Sequence, residues 1–147
     1  MRSKSGALAS GALAALSALH VNWATGSTWP LSSEGELVDQ VVGRPGQAAP
    51  SPAACLAVAG LLGIASSLVA GFPRSHPAVS RTGTAGVALI FGVRGGLGLA
   101  GRTDLVSPGS ASKAFRSRDR RVYGPVCFAI AGLALCGNQQ TTTKGIR

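Results

Sequence analysis

The chain has 147 residues and a formal net charge of +9, yet only 13% of its residues are charged and 46% are hydrophobic. A soluble domain normally carries about 25% charged residues, so this composition argues against an ordinary soluble protein. The length suits a single domain, which we take as residues 1–147. The basic residues lie in loops and tails, not on a basic helix interleaved with aromatic residues, so we expect no nucleic-acid partner.

Four stretches that are almost free of charge predict four membrane-spanning helices. They cover residues 5–33, 45–73, 82–101 and 122–143, and Arg94 is the one charged residue inside them. Each stretch supplies roughly the 20 mostly apolar residues that a bilayer core requires. The predicted fold is therefore all-α, an antiparallel four-helix transmembrane bundle. The predicted helices span about residues 6–26, 52–72, 83–101 and 122–137.

The N-terminus has the pattern of a signal peptide without its cleavage site. Arg2 and Lys4 precede the apolar run that begins at Gly6. No small-residue cleavage motif follows near His20, so we expect an uncleaved first helix. The alternative is a soluble basic protein released after cleavage.

The three predicted loops carry most of the charge. The first, residues 27–51, holds Glu34, Glu36 and Asp39, and the second, residues 73–81, is short and basic. The third, residues 102–121, holds six Lys or Arg and two Asp. Its basic run is typical of a solvated face or of contact with anionic lipid headgroups.

The orientation in the membrane depends mainly on the first helix. Counts of Lys and Arg on the two sides do not decide between the orientations, but the N-terminal charges flank the helix that usually dominates. We therefore expect a multi-pass protein of the plasma membrane with both termini in the cytoplasm. The expected partners are the lipid bilayer and, more specifically, anionic headgroups or a membrane partner subunit.

Small residues at four-residue steps predict where the helices pack, because helices in lipid associate by close backbone approach. The rows are Thr84, Ala88, Gly92, Gly96 and Ala100 on helix three, Ala59, Gly63, Ser67 and Gly71 on helix two, and Ala7, Gly11 and Ala15 on helix one.

Polar and aromatic residues are predicted to gather at one end of the bundle. Antiparallel topology brings the end of helix one, the start of helix two, the end of helix three and the start of helix four to one shared face. The ligand-binding residues predicted there are His20, Trp23, Arg94, Asp119 and Tyr123.

Arg94 is the most informative of these residues, because a charge inside a membrane helix is costly and usually marks a partner or a site. One hypothesis is that it anchors an anionic group, with His20 and Asp119 as polar partners. The other is a buried pair with Asp119, or hydrogen bonds to carbonyls at the end of helix one. Trp23, Trp29 and Tyr123 would set depth in the interface.

The sequence contains no motif for catalysis, and no catalytic residue, cofactor or metal is predicted. Cys55, Cys127 and Cys136 have no metal-ligand spacing and fall in apolar stretches, as small packing residues do. The favoured function is a binding or structural membrane component. The alternative is a small membrane enzyme or redox partner that uses His20 with Cys127.

Residues 20–26, which read His-Val-Asn-Trp-Ala-Thr-Gly, resemble the HxxWAxG signature of a bacterial family of small four-helix membrane proteins that is common in actinobacteria and has no assigned function. Weaker similarities are Arg94-Gly95-Gly96 with Gly98, Phe115 with Asp119, and Tyr123-Gly-Pro125-Val-Cys127. The resemblance covers about residues 7–135. It departs from the family at Val93, where Leu is expected, and in the basic stretch 116–121. It implies a membrane location and four helices but no activity.

Overall fold

Helices make up all the regular structure of the described chain. The computed structural model describes residues 3–106 and 112–144. Its helices are α1 (Lys4–Ala24), α2 (Glu34–Leu37), α3 (Pro52–Val69), α4 (Pro77–Leu99), α5 (Thr103–Val106), α6 (Lys113–Arg118) and α7 (Gly124–Lys144). Two π-helical turns, Val38–Val42 and Asp119–Tyr123, follow α2 and α6.

Four helical segments are long and apolar enough to cross a membrane. They are Lys4–Ala24, Pro52–Val69, Pro77–Leu99 and Lys113–Gln139. The last combines α6, its π-helical turn and most of α7. The predicted all-α fold with four transmembrane helices is therefore confirmed, and the chain is a membrane protein.

Serine caps explain where two of the spanning helices begin. The Ser3 hydroxyl accepts the Gly6 N–H at the start of α1, and the Ser51 hydroxyl accepts the Ala54 N–H at the start of α3. A capping side chain satisfies a backbone donor that has no partner within the helix. Pro52 then occupies the first turn of α3, where a missing N–H costs nothing.

The predicted boundaries of the last two spanning helices are wrong. α4 begins at Pro77, not near residue 83, because proline fits the first helical turn. The third loop is helical from Lys113 onward, since Ser112 caps α6 and Phe115 is buried against the protein. α7 also continues to Lys144, beyond the predicted residue 137. Arg2, residues 107–111 of the predicted loop and the final residues 145–147 lie outside the described part of the chain.

Contacts between helices show that neighbours run antiparallel. Ser10 on α1 is hydrogen bonded to Ser66 on α3, and Ser17, further along α1, donates to the carbonyl of Ala59, which comes earlier in α3. The order of contacts is therefore reversed along the two helices.

The other neighbouring pairs follow the same rule. On α4 and α7, Gly95 lies against Phe128, whereas Asn138 donates to the Arg81 carbonyl. The N-terminal end of α1 meets the C-terminal part of α7, where Gly6 lies against Gly137. The end of α3 meets α4, where the Thr84 hydroxyl donates to the Leu68 carbonyl. The bundle therefore has the cyclic order α1, α3, α4, α7.

The small-residue rows predict the packing faces only in part. On α1 the prediction is wrong, because the buried residues are Gly6, Ala9, Ser10 and Leu13, whereas Ala7, Gly11 and Ala15 are exposed. Small residues occur on every face of this Ala-rich helix, so their spacing does not select one.

On α3 and α4 each row of small residues predicts the packing face correctly at one end of the helix only. Ala59 is buried as predicted, but the α3 contact with α1 then continues through Ser66, and Ser67 is exposed. Thr84 and Ala88 are buried as predicted. The contact of α4 with α7 then uses Gly95 and Gly98 in place of Gly96 and Ala100.

Candidate functional site

Arg94 and Asp119 form an ion pair that joins α4 to the π-helical turn before α7. Arg94 Nη2 lies 2.5 Å from Asp119 Oδ1, and the Asp119 side chain is fully buried while that of Arg94 is 25% exposed. The buried Thr103 hydroxyl donates to Asp119 Oδ2 at 3.1 Å. Both carboxylate oxygens therefore have partners, and the paired state, one of the two hypotheses for Arg94, is present in the structure.

Glycines create the space in which this ion pair forms. A Cβ atom on Gly98 would lie 3.1 Å from Arg94 Nη1 and 3.2 Å from Asp119 Oδ1. One on Gly95 would lie 2.6 Å from the backbone nitrogen of Phe128. Because a side chain would fill this space, the two glycines allow α4 and α7 to approach closely enough for the pair.

Tyr123 holds a segment of the first connection against the bundle. We call residues 34–43, which comprise α2, its π-helical turn and Gly43, the cap segment. The Tyr123 hydroxyl donates to the Gln40 carbonyl at 3.0 Å, and the Ser112 hydroxyl donates to the Asp39 carbonyl at 3.1 Å. The Ser112 N–H also donates to the Gly43 carbonyl at 3.0 Å.

The Phe115 ring packs directly on Gly43. A Cβ atom there would lie 2.8 Å from two ring carbons, and the φ of Gly43 is +77°, in the left-handed region that favours glycine. The first connection, predicted as a loop, is therefore partly helical and docked on α6.

His20 and Trp23 line a cavity between α1, α3 and the cap segment. Its volume is about 480 Å³. The apolar side chains that line it include Leu37, Val41, Val42, Pro50, Pro52, Ala54, Cys55 and Val58.

The two aromatic residues of this cavity are fixed by hydrogen bonds. His20 Nδ1 lies 2.8 Å from the Leu16 carbonyl oxygen, and Trp23 Nε1 donates to the Trp29 carbonyl at 2.8 Å. The two rings meet edge to face with their centroids 4.9 Å apart. The cavity wall on α1 is therefore preorganised.

The structure separates the five predicted ligand-binding residues. His20 and Trp23 line the cavity, whereas Arg94, Asp119 and Tyr123 are not among its lining residues. Arg94 and Asp119 instead bond to each other, and Tyr123 bonds to the cap segment. The cavity and the ion pair are thus distinct features of the same end of the bundle.

Among the described residues that line the cavity, Glu34 is the one charged side chain, and no Lys or Arg is present. A carboxylate with no nearby basic side chain in the wall disfavours an anionic ligand.

Sequence reasoning missed the contribution of the cap segment to this cavity. The S-x-x-E pattern at Ser33 and Glu36 is the signal that indicates a helix start there.

The cysteines do not converge with His20 into a metal centre. Cys55 lines the same cavity as His20, whereas Cys127 does not. Among residues 3–106 and 112–144, no group of three or more His, Cys, Asp or Glu is placed to hold a metal ion.

These features define a multi-pass membrane protein of four helices with a small cavity at one end. The chain belongs to the family described as "Protein of unknown function (DUF3995)", whose model matches residues 13–134. The expected membership of a family without an assigned function is therefore confirmed. Comparisons with curated proteins and with solved structures gave no significant match.

Proposed function

We propose that this protein is a binding component of the plasma membrane that holds a small ligand in the cavity beside His20 and Trp23. The observation that carries the proposal is the cavity itself. Its volume of about 480 Å³ falls within the range typical of small-molecule sites, about 300–1,000 Å³. Its lining is mainly apolar with a few polar groups, which is also typical of such sites.

In this proposal Arg94, Asp119 and Tyr123 support the site without contacting the ligand. The ion pair fixes the junction of α4 and α7. Tyr123 at that junction and Ser112 at the start of α6 hold the cap segment, which supplies Leu37 and Val41 to the cavity wall. The negative charge of Asp119 balances the positive charge of Arg94. The presence of Arg94 in a membrane span is therefore explained without an anionic ligand.

The test is to extract the protein from its membrane in native nanodiscs and to analyse it by native mass spectrometry. Ala53 and Ala54 are adjacent and both exposed on α3, but only Ala54 lines the cavity. We expect a co-purifying small molecule in the wild type and in Ala53→Phe, and its loss in Ala54→Phe. A bound mass that is unchanged in Ala54→Phe contradicts the proposal.

The basic face of α6 favours a second partner, the anionic lipid headgroup. The exposed basic residues are Lys113, Arg116 and Arg118 of α6 with Arg120 and Arg121 of the π-helical turn that follows it, immediately before the most apolar part of the fourth span. Basic residues beside a membrane attract anionic lipids by about 1 kcal/mol each. We expect Arg116→Gln combined with Arg120→Gln to retain less phosphatidylglycerol in native mass spectra, whereas exchanging the remote Arg74 for Gln leaves retention unchanged.

We further propose that both termini are cytoplasmic. Single cysteine reporters at Ser33 and Ser75, on a cysteine-free background, test this in intact cells with an impermeant reagent. Labelling of Ser33→Cys alone supports the proposed orientation. Labelling of Ser75→Cys alone contradicts it and indicates that both termini lie outside.

A further inference from the structure

We infer that the cavity takes an uncharged, mostly apolar molecule that carries a hydroxyl group, and that His20 Nε2 accepts the hydrogen bond from that hydroxyl. The inference rests on the proposed function, because it names the ligand class of the same cavity.

The hydrogen bond on the other ring nitrogen fixes the role of His20. Nδ1 lies 2.8 Å from the Leu16 carbonyl oxygen, and a carbonyl oxygen can only accept, so Nδ1 carries the proton. In the neutral imidazole Nε2 is then an acceptor. In the described part of the chain no residue bonds to Nε2, so the atom is available to a ligand.

Other polar side chains of the cavity wall already have partners within the protein. The Ser27 hydroxyl accepts from the Asn22 amide, and the Thr28 hydroxyl donates to the Leu31 carbonyl. The Ser51 hydroxyl caps α3, and Trp23 Nε1 is bonded to Trp29. The Glu34 carboxylate accepts the Ala49 N–H and is exposed to water. His20 Nε2 therefore remains as the partly buried acceptor that has no bond from the described residues.

The charge of the wall disfavours charged ligands. Anions are disfavoured because Glu34 is the one charged lining residue. Cations gain little, because Glu34 is exposed to water, which screens its carboxylate. An uncharged ligand remains, with its apolar part against Leu37, Val41 and Val58.

The experiment compares two probes that differ in one hydrogen-bond donor. 4-Butylphenol carries a hydroxyl, and its methyl ether 4-butylanisole has the same apolar body without one. Each is titrated in mildly alkaline buffer against the full chain in phosphatidylcholine nanodiscs, and binding is counted as the excess over empty nanodiscs. We expect the phenol to bind the wild type about 2- to 10-fold more tightly than the ether, as one hydrogen bond provides.

Substitution of His20 isolates the hydrogen bond. In His20→Leu the preference for the phenol falls to about 1-fold, whereas the affinity for the ether changes little. In His20→Gln an acceptor at a similar reach is retained, so part of the preference returns. A wild type without preference, or a preference that survives in His20→Leu, overturns the inference.

The cavity-filling variants separate failure of the inference from failure of the proposed function. If Ala54→Phe abolishes binding of both probes and Ala53→Phe does not, the cavity binds ligands whichever probe the wild type prefers. If neither probe binds the wild type in excess over empty nanodiscs, the inference and the proposed function both fail.

A hydroxyl donor in the membrane can belong to a neutral lipid or to a free small molecule. Diacylglycerol is uncharged and has one hydroxyl, so it is added to the phosphatidylcholine nanodiscs as a competitor. Competition that requires His20 supports the hydroxyl assignment with a lipid as the source. Tight phenol binding without competition supports it with a free small molecule as the source.

Discussion

The two helix pairs of the bundle, α1 with α3 and α4 with α7, are held together in different ways. Serine hydroxyls join α1 to α3, through Ser10 with Ser66 and Ser17 with the Ala59 carbonyl. Backbone approach at glycines joins α4 to α7, and the ion pair of Arg94 with the buried Asp119 joins α4 to the π-helical turn before α7.

The difference shows where this fold tolerates change. A hydroxyl that loses its partner across two helices can bond to its own helix, so the loss is small. A buried carboxylate or a glycine under a neighbouring backbone has no such substitute. Substitutions should therefore be far more costly at the α4–α7 interface than at the α1–α3 interface.

The largest expected effect comes from Asp119→Ala. It leaves Arg94 unpaired within a membrane span, and removing one partner of a buried ion pair costs about 3–5 kcal/mol. The loss should appear as a lower free energy of unfolding in mixed micelles. Asp104→Ala is the matched control, because its pair with Arg102 is exposed on both sides and such pairs contribute about 0–1 kcal/mol.

Removal of both charges sharpens this test. In Arg94→Leu combined with Asp119→Leu no unpaired charge remains, and we expect most of the lost stability to return. If the double variant is no more stable than Asp119→Ala, the pair is not the reason for the loss.

The next largest effect is expected at Gly95. In Gly95→Ala the new methyl group lies 2.6 Å from the backbone nitrogen of Phe128, and overpacking of this kind costs about 1–3 kcal/mol. Gly86 is on the same helix, and no atom of a neighbouring helix lies within 4 Å of its Cβ position. Gly86→Ala should leave the free energy of unfolding unchanged or slightly raised, and an equal loss in both variants contradicts the close approach.

A smaller effect is expected at the α1–α3 interface. Ser66→Ala removes a hydroxyl that lies 3.1 Å from the Ser10 hydroxyl, and hydrogen bonds between helices in membrane proteins contribute about 0.6 kcal/mol on average. A double-mutant cycle with Ser10→Ala measures the coupling in the free energy of unfolding. Ser67→Ala is the control, because that hydroxyl bonds to its own helix through the Gly63 carbonyl and should show no coupling to Ser10.

The smallest expected effect is the loss of stability of the cap segment at acidic pH. The backbone N–H of Ser32 and the side-chain amide of Gln40 donate to the Glu36 carboxylate and lower its pKa. A lowered pKa stabilises the folded segment above the usual carboxyl pKa of about 4.3, and this contribution is lost as the pH falls through the folded-state value. A carbon-detected NMR titration should give a pKa below the usual value, and Gln40→Ala should raise it.

The amino-acid sequence predicts the spanning helices well because their cause is local. Long apolar stretches without charge must form helices in lipid, where every backbone group needs an internal partner. The predicted first and second helices agree with α1 and α3 to within a few residues. The predicted helix starts differ from Pro77 and Lys113 because charged residues do not mark loops reliably here: Arg81 and Arg116 lie on helices.

The candidate site was harder to predict, because it depends on which helix faces meet. Topology predicts His20 and Trp23 near Arg94 and Asp119, whereas the structure places the two pairs in separate features of the same end. The cavity also requires Leu37 and Val41 of the cap segment, whose position depends on contacts with Ser112 and Tyr123 far along the chain.

The sequence by itself determined the all-α class, the membrane environment and the presence of four spans, because these follow from the hydropathy of contiguous segments. Only the tertiary structure decided that Arg94 pairs with Asp119, that Gly95 and Gly98 form the contact with α7, and that the first connection lines a cavity. The physical reason is that many faces of these Gly- and Ala-rich helices are compatible with close packing. The face that is used depends on the simultaneous fit of all four helices.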